Sequence, residues 1–167
     1  MSTSHRADDP RYLPSLETPI NEVLPGKLWI GNLHAREHVA AHGIDVVVCC
    51  TRQADHYLLP GLPANVKEHI LYLADVSVHE DTFVNDMFDL GCAHITAALK
   101  QQRRVLVHCL AGVSRSASIV TAYLMRPHDG APRSFNDAFQ MLEDARFCVW
   151  PNPQFTRVLR AREHKEH

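Results

Sequence analysis

The sequence predicts an α/β domain in which a mostly parallel central sheet is flanked by helices. Short apolar runs rich in β-branched residues alternate along the chain with longer segments of helical periodicity. The run at residues 105–107 is apolar throughout, which is typical of a strand buried on both faces of a parallel sheet. The length of 167 residues fits one domain with a substantial core.

The composition is that of an ordinary globular protein, with 46% hydrophobic and 22% charged residues. The formal net charge is −2, so no general basic field argues for nucleic acid or an anionic membrane as a partner. No run approaches the roughly 18 apolar residues that a membrane-spanning helix needs, and the first residues lack a signal peptide's apolar segment. The five cysteines do not have the spacing of a disulfide scaffold. We therefore expect no membrane insertion and a reducing compartment, the cytosol or the nucleus.

The beginning of the chain differs from the rest. Residues 1–21 are polar, contain three prolines and lack periodicity, which predicts a flexible N-terminal extension. The remaining residues, 22–167, are expected to form the domain. A turn at Pro25 and Gly26 leads into a first short strand at residues 27–30.

The first half of the domain alternates between helical and extended segments. Good helix formers at residues 34–42 are followed by Gly43, a residue type that commonly ends helices. Buried strands are expected at residues 44–50 and 66–73 because both are apolar and β-branched or aromatic. A polar loop at residues 51–63 separates them, and a surface loop of this kind either contacts substrate or is simply solvated.

The second half begins with a long helix. Apolar residues recur at helical spacing across residues 80–101, which predicts one helix with a buried face. The elements expected after it are a strand beginning at Arg103, a helix at residues 116–125, a helix at residues 135–146 capped by Ser134, and a last helix with Pro153 in its first turn.

The residues between the central strand and its helix predict an anion site. A tight turn runs from Cys109 through Gly112 to Arg115, and such a turn directs several backbone N–H groups into one concave space. A thiol in that field and beside a cation has a lowered pKa and is a nucleophile near neutral pH. The planar guanidinium of Arg115 can hold two oxygens of a phosphoryl group.

These residues resemble a known family. His108-Cys109-Leu-Ala-Gly-Val-Ser-Arg115-Ser116 is similar to the H-C-x-x-G-x-x-R-S motif of cysteine-based protein phosphatases, most closely the dual-specificity branch. The resemblance extends over about residues 23–163. It implies hydrolysis of phosphate monoesters through a cysteinyl-phosphate, with no metal and no cofactor. The phosphate would be bound by a loop, here called the cradle, that comprises Leu110, Ala111, Gly112, Val113, Ser114 and Arg115.

The resemblance also assigns roles around Cys109. A carboxylic acid must protonate the leaving oxygen, and Asp75, at the end of a predicted strand upstream, is the preferred candidate. Asp81 is the alternative, although its place near a helix start also suits a helix N-terminal charge. Ser116 is expected to support the departing thiolate, and an N-terminal cap is the other explanation for it. His108 is expected to order the loop and to influence the pKa of Cys109.

Cys49 and Cys50 end a strand that is expected to lie beside the central one. Some relatives carry a cysteine here that forms a reversible disulfide with the nucleophile, which implies a redox partner at one of these positions. The alternative, two small side chains in the core, is the simpler explanation and is favoured.

The substrate class is inferred from the cradle. Its variable positions carry no charge, whereas relatives that hydrolyse phosphoinositides or RNA 5′-triphosphates add basic contacts. A protein with phosphotyrosine, phosphoserine or phosphothreonine is therefore the expected partner. One alternative is a catalytically weak or inactive module that binds phosphoproteins. It is kept because relatives often have a proline or a small residue soon after the acid, whereas Val-Ser-Val-His-Glu-Asp follows Asp75 here. Another alternative is a different enzyme with a similar loop, such as a rhodanese or an arsenate reductase. Rhodanese loops generally lack the arginine-serine ending, and the low-molecular-weight phosphatase group has its loop near the N-terminus, whereas the loop here begins at Cys109.

Overall fold

A computed structural model describes residues 17–128 and 131–163. Within them, five strands form one sheet: β1 (Ile20–Leu24), β2 (Leu28–Gly31), β3 (Val46–Thr51), β4 (Lys67–Tyr72) and β5 (Val105–His108). Their order across the sheet is β1-β2-β5-β3-β4. The last four in this order are mutually parallel, and β1 pairs with β2 in the antiparallel sense at one edge. The predicted mostly parallel sheet is confirmed.

In the described part of the chain, four α-helices pack against one face of this sheet. They are α1 (Asp81–Lys100), α2 (Arg115–Met125), α3 (Phe135–Ala145) and α4 (Pro153–Arg162). Side chains alternate between the two faces of a strand, and Ile30, Val48 and Val107 join the helices in the main core. On the other face, Trp29 and Leu106 belong to a smaller apolar cluster. No helix of the described residues has the length and apolar character needed to cross a membrane.

Helix α2 is the centre of the main core. All eleven of its residues are buried, so its polar side chains must find partners inside the protein. The hydroxyl of Ser118 donates to the Ser114 carbonyl at 2.7 Å, and that of Thr121 donates to the Ala117 carbonyl at 2.7 Å. The helix is therefore held rigidly on every side, and its N-terminus is a firm base for the loop that precedes it.

The cap predicted for α3 and the proline predicted in the first turn of α4 are both present. The Ser134 hydroxyl accepts a hydrogen bond from the Asp137 N–H at 3.1 Å at the start of α3. Pro153 lies in the first turn of α4, and the Asn152 side chain caps that helix by accepting from the Phe155 N–H at 2.9 Å. These local signals were readable because a cap and its partner are three residues apart.

Two elements differ from expectation. The helix expected at residues 34–42 is a shorter 3₁₀ helix, Leu33–His38, which buries only Ala35 and Arg36. Strand β1 was not expected, because it is a short edge strand that is flanked by prolines and only partly buried. It includes residues 20 and 21 of the predicted extension, whereas residues 1–16 lie outside the described part of the chain.

Candidate active site

The cradle begins where β5 ends at the centre of the sheet. Strand β5 lies between β2 and β3, so its last residue, His108, is paired with Gly31 on one side and Cys49 on the other. Gly112 has a φ of 68°, and a Cβ there would lie 2.7 Å from the backbone of Gly31. Only glycine fits this turn, and the loop is thereby packed against the end of β2.

Four carbonyl groups of the cradle, those of residues 110–113, are held by donors from outside the loop. That of Leu110 accepts from the Leu33 N–H at 3.0 Å, and that of Val113 accepts from the Trp150 N–H at 2.6 Å. The carbonyls of Ala111 and Gly112 both accept hydrogen bonds from the Arg146 guanidinium. In a planar trans peptide the N–H points away from the C=O. The N–H groups of the next residues therefore point to the opposite side, where an anion would bind.

Arg146 supports the cradle, and the sequence did not reveal this contact. Its Nε donates to the Gly112 carbonyl at 2.9 Å and its Nη2 to the Ala111 carbonyl at 3.3 Å. Its Nη1 donates to the Thr18 carbonyl at 2.6 Å and to Asn21 Oδ1 at 2.8 Å. The fork of the guanidinium thus joins the cradle to the chain entering β1. It was expected only as the last residue of a helix, and no local pattern marks it.

The thiol of Cys109 is buried at the base of the cradle. Its Sγ lies 3.1 Å from Ser116 Oγ and accepts a hydrogen bond from the Gly112 N–H at 3.2 Å. Burial opposes ionisation of the thiol, but the Arg115 guanidinium and the hydrogen bonds from Ser116 and Gly112 outweigh it. The pKa of Cys109 is therefore below its ordinary value, which favours the thiolate.

Arg115 and Ser116 lie where the motif predicts them, in the first turn of α2. Arg115 Nη1 donates to the Leu73 carbonyl at 3.2 Å, which anchors the guanidinium beside the end of β4. Ser116 is fully buried, and its hydroxyl is directed at the Cys109 thiol rather than at a capping position. The structure thus brings both residues to the predicted nucleophile.

His108 is a neutral imidazole whose tautomer follows from its neighbours. Arg36 Nη1 lies 3.1 Å from its Nε2, and since a guanidinium only donates, Nε2 accepts. The proton is therefore on Nδ1, which donates to the Cys109 carbonyl at 3.2 Å. Arg36 is itself buried and paired with Glu68. This series of hydrogen bonds, from Glu68 through Arg36 and His108 to the Cys109 carbonyl, was not apparent in the sequence, because its members come from distant segments.

The burial of His108 predicts a pH dependence of stability. Burial, together with Arg36 and Arg115, lowers its pKa from 6.5 to about 3. The unfolded chain then binds more protons between these values, so stability falls as the pH decreases through this range. We expect the free energy of unfolding to fall by about 1.4 kcal/mol per pH unit from this residue. Urea unfolding of wild type and His108→Asn at pH 6.5 and 5 measures it, and equal pH dependence in both would contradict this assignment.

Asp75 lies against the cradle. Its Oδ1 accepts from the Ser114 hydroxyl at 2.7 Å and from Asn152 Nδ2 at 2.9 Å. The Ser114 hydroxyl in turn accepts from the Asn152 N–H at 3.0 Å. Ser114, one of the expected phosphate-binding residues, thus also connects the cradle to the candidate acid. The carboxyl is thereby held against the loop that follows Cys109.

Asp81 is in a different situation. As the first residue of α1, it accepts from Arg157 Nη1 at 2.5 Å and from Gln154 Nε2 at 3.0 Å. These hydrogen bonds lower its pKa to about 2. Its carboxylate is thus engaged by α4, and no hydrogen bond among the described residues joins it to the cradle, whereas Asp75 contacts Ser114. The geometry therefore favours Asp75 over Asp81 as the acid.

The segment between Asp75 and Asp81 is hydrogen-bonded to the start of α4. The Ser77 hydroxyl donates to Asn152 Oδ1 at 3.2 Å, and the His79 N–H donates to Gln154 Oε1 at 3.0 Å. The His79 ring closes the segment on itself, since its Nε2 donates to the Ala74 carbonyl at 2.8 Å. Asn152 thus both caps α4 and binds the segment after Asp75, and this second role depends on the tertiary fold.

The two candidate redox cysteines point to opposite faces of the sheet. Cys49 belongs to the smaller apolar cluster, whereas Cys50 lies in the main core with Cys109. Burial raises the pKa of Cys49 to about 12 and that of Cys50 well above its ordinary value. Both are free thiols. Of the two, only Cys50 shares a face with the nucleophile.

No three His, Cys, Asp or Glu side chains of the described ranges group together as metal ligands would. The loop at residues 51–63 contains the 3₁₀ helix Gln53–Leu58, and Arg52 and Asp55 form an ion pair there at 2.6 Å. The Arg115 charge contributes to the lowered pKa of Asp55, after its hydrogen bond to Arg52. This loop thus lies within electrostatic range of the cradle.

Comparison with known proteins agrees with this geometry. The family model "Dual specificity phosphatase, catalytic domain" matches residues 28–165. Human dual specificity phosphatase 28 is 35% identical over 150 residues, which are 87% of this chain and 78% of that protein. The Drosophila melanogaster dual specificity protein phosphatase Mpk3 is 35% identical over 148 residues, which are 86% of this chain but 33% of Mpk3.

A third relative has a different kind of name. The human serine/threonine/tyrosine-interacting protein is 27% identical over 164 residues, which are 95% of this chain and 70% of that protein. A crystal structure described as the human tyrosine phosphatase-like protein of that name aligns with a TM-score of 0.76 and 28% identity, covering 88% of this chain and 97% of the other. The family match and the similarity to phosphatase 28 decide the classification: this chain belongs to the dual specificity phosphatase family.

Proposed function

We propose that this chain hydrolyses phosphate monoesters on tyrosine, serine and threonine residues of proteins, through a cysteinyl-phosphate formed on Cys109. One observation carries the proposal. A thiol with a lowered pKa lies at the base of a loop whose carbonyls at residues 110–113 are held outward, so that the N–H groups that follow them face inward. Preorganised donors of this kind are usually the largest contribution to catalysis.

In the first step, the Cys109 thiolate attacks the phosphorus in line with the leaving oxygen. The S–P bond forms while the P–O bond breaks, and its electron pair goes to the leaving oxygen. Asp75 donates a proton to that oxygen. The cradle N–H groups and the Arg115 guanidinium hold the three equatorial oxygens and balance their charge.

In the second step, water attacks the phosphorus of the cysteinyl-phosphate. Asp75, now a carboxylate, accepts a proton from this water, and the S–P bond breaks to release inorganic phosphate. The departing thiolate is stabilised by the Ser116 hydroxyl at 3.1 Å. His108 acts indirectly, since its hydrogen bond to the Cys109 carbonyl at 3.2 Å fixes the first peptide of the loop. The mechanism uses no metal and no cofactor.

The mechanism is tested by turnover of a small aryl phosphate in the presence of a metal chelator. We expect release of phosphate at neutral pH, and acid quenching should trap one phosphate on the peptide that contains Cys109. Phosphate release that stops on chelation, or a trapped phosphate on another residue, would contradict the proposal. The expected rise in activity with pH follows ionisation of Cys109, and because its pKa is lowered, activity should reach a plateau below the ordinary pKa of a thiol.

A second candidate is a module that binds phosphoproteins without hydrolysing them. The resemblance to a protein named for interaction rather than hydrolysis favours this alternative. The same assay separates the two functions. Absence of turnover together with micromolar binding of phosphopeptides would identify a binding module, in which the cradle holds its ligand but the chemistry does not follow.

We further propose that Cys50 is the redox partner of Cys109. Peroxide would oxidise the Cys109 thiolate to a sulfenic acid and be reduced to water. Attack by Cys50 sulfur would then expel water and form a disulfide. Cys50 supports this role because it lies in the same core cluster as Cys109, whereas Cys49 does not.

Mapping of disulfides after peroxide treatment tests this pairing. We expect a Cys109–Cys50 link and recovery of activity on reduction in the wild type. Cys50→Ser should lose recovery as Cys109 is oxidised further, and Cys49→Ser serves as the matched control. A link from Cys109 to Cys49 or Cys148, or full recovery in Cys50→Ser, would exclude Cys50.

A further inference from the structure

Large apolar side chains are exposed on the loops that surround the cradle. Val78 is 88% exposed, Phe147 69%, Trp150 54% and Leu110 51%, and Val76 is exposed beside them in sequence. We call these five residues the apolar rim. Isolated apolar side chains at a surface are ordinary, but several around one site mark a binding surface.

The rim residues lie on three segments that contact one another. Leu110 belongs to the cradle itself. Trp150 donates its backbone N–H to the Val113 carbonyl at 2.6 Å, and Asn152 Nδ2 donates to the Val76 carbonyl at 3.2 Å. The acid segment (residues 75–80), the cradle and the segment before α4 (residues 146–152) are thus hydrogen-bonded to one another. These segments therefore border the cradle, and their exposed apolar side chains are available to the parts of a ligand that extend beyond it.

The charges on these segments are arranged against a polyanionic ligand. Their two arginines, Arg115 and Arg146, are buried, whereas Glu80 is exposed at the end of the acid segment. On the neighbouring loop, Arg52 is already paired with Asp55 at 2.6 Å. Within the described residues, the three segments therefore offer no exposed arginine or lysine to acidic side chains or additional phosphates.

We propose that the apolar rim binds the side chains on either side of the phosphorylated residue, so that the preferred ligand is a phosphoprotein segment with apolar flanking residues. This inference rests on the proposed function, since it assumes that the cradle binds a phosphoresidue. Burial of apolar surface would provide the affinity, and Glu80 would disfavour acidic flanks. The rim thereby selects among phosphoproteins that the cradle alone would treat alike.

A membrane is the other surface that an apolar rim could contact. Peripheral binding to anionic lipids needs exposed lysine or arginine beside the apolar residues. The three segments lack them in the part of the chain described here, and the exposed charge is that of Glu80. A peptide with apolar side chains is therefore the better match.

The test uses three phosphotyrosine peptides that differ only in the residues flanking the phosphotyrosine, which are leucine, asparagine or aspartate. We expect kcat/KM to be about tenfold higher for leucine than for aspartate, with asparagine between them, as burial of one or two apolar side chains implies. Dissociation constants of the same peptides for Cys109→Ser should follow the same order. Equal values for the three peptides, or a preference for aspartate, would overturn the proposal.

Variants locate the preference on the rim. The double variant Val78→Ser/Phe147→Ser should reduce the leucine preference to less than threefold, while hydrolysis of a small aryl phosphate, which has no flanking residues, stays unchanged. Leu90→Ser is the matched control, because Leu90 is a similarly exposed apolar residue (42%) on α1. Preference retained in the double variant would overturn the proposal, as would faster turnover of a phosphoinositide in anionic vesicles.

The outcomes also separate this inference from the proposed function. If the wild type does not hydrolyse the aryl phosphate, the catalytic proposal fails. The dissociation constants for Cys109→Ser still measure the preference of the rim in that case. If turnover is normal but flanking residues make no difference, catalysis stands and the role of the rim is wrong.

Discussion

Cys109→Ser is expected to lower kcat for a small aryl phosphate by more than about 10⁴-fold, because a serine hydroxyl at this position is neither ionised nor an effective nucleophile near neutral pH. The cradle carbonyls are held by Leu33, Arg146 and Trp150 rather than by the thiol, so the loop should keep its shape. Phosphopeptide binding should therefore survive while turnover is lost. Steady-state kinetics and calorimetric titration measure the two quantities.

Cys92→Ser is the matched control for this variant. Cys92 is also a buried cysteine, but it lies in α1 and not in the cradle. We expect it to retain activity. Residual turnover of Cys109→Ser within tenfold of the wild type would show that another group is the nucleophile. Loss of both binding and turnover, with intact secondary structure, would show that the thiol is needed to form the cradle.

Asp75→Asn is expected to have the second largest effect, and its size should depend on the leaving group. A general acid contributes about 10² to 10⁴ in rate, and this contribution shrinks when the leaving oxygen is already a stable anion. Asparagine can place its carbonyl oxygen where Oδ1 accepts from Ser114 and Asn152, so the local structure is preserved. Rates for a series of aryl phosphates of different phenol pKa measure this dependence.

Asp81→Asn provides the comparison. Its carboxylate is engaged by Arg157 and Gln154, and its pKa is lowered to about 2. We expect the slope of rate against phenol pKa to match the wild type in this variant and to steepen in Asp75→Asn. A steep slope in Asp81→Asn with a normal slope in Asp75→Asn would reverse the assignment of the acid.

The parts of the molecule that the sequence predicted depend on local patterns. The alternation of apolar runs and helical periodicity gives four of the five described strands and the four described α-helices, and nine residues from His108 to Ser116 specify the cradle. Here the strand, the turn glycine and the helix start are adjacent in the chain. The contact of Cys109 with Ser116 is a consequence of that short loop.

The remainder could not be predicted because it arises from distant segments. Arg146 reaches Gly112 from 34 positions away, and Arg36 reaches His108 from 72 positions away. Nothing near either arginine in the sequence marks it as buried. The choice between Asp75 and Asp81 likewise required the tertiary partners of each carboxylate. A single sequence reveals which residue types are present but not which buried donors meet which acceptors.

The hydrogen bonds by which Arg146 joins the cradle to the chain before β1 limit how far the protein can be truncated at its N-terminus. Thr18 and Asn21 are the first described residues that hold its guanidinium, and both precede the turn at Pro25. A truncated version that starts at the first strand predicted from the sequence would remove both acceptors and leave a buried cation partly uncompensated. The chain ahead of β2 is thus part of the scaffold of the cradle. Any shortened form intended for crystallisation or assay should begin upstream of Thr18.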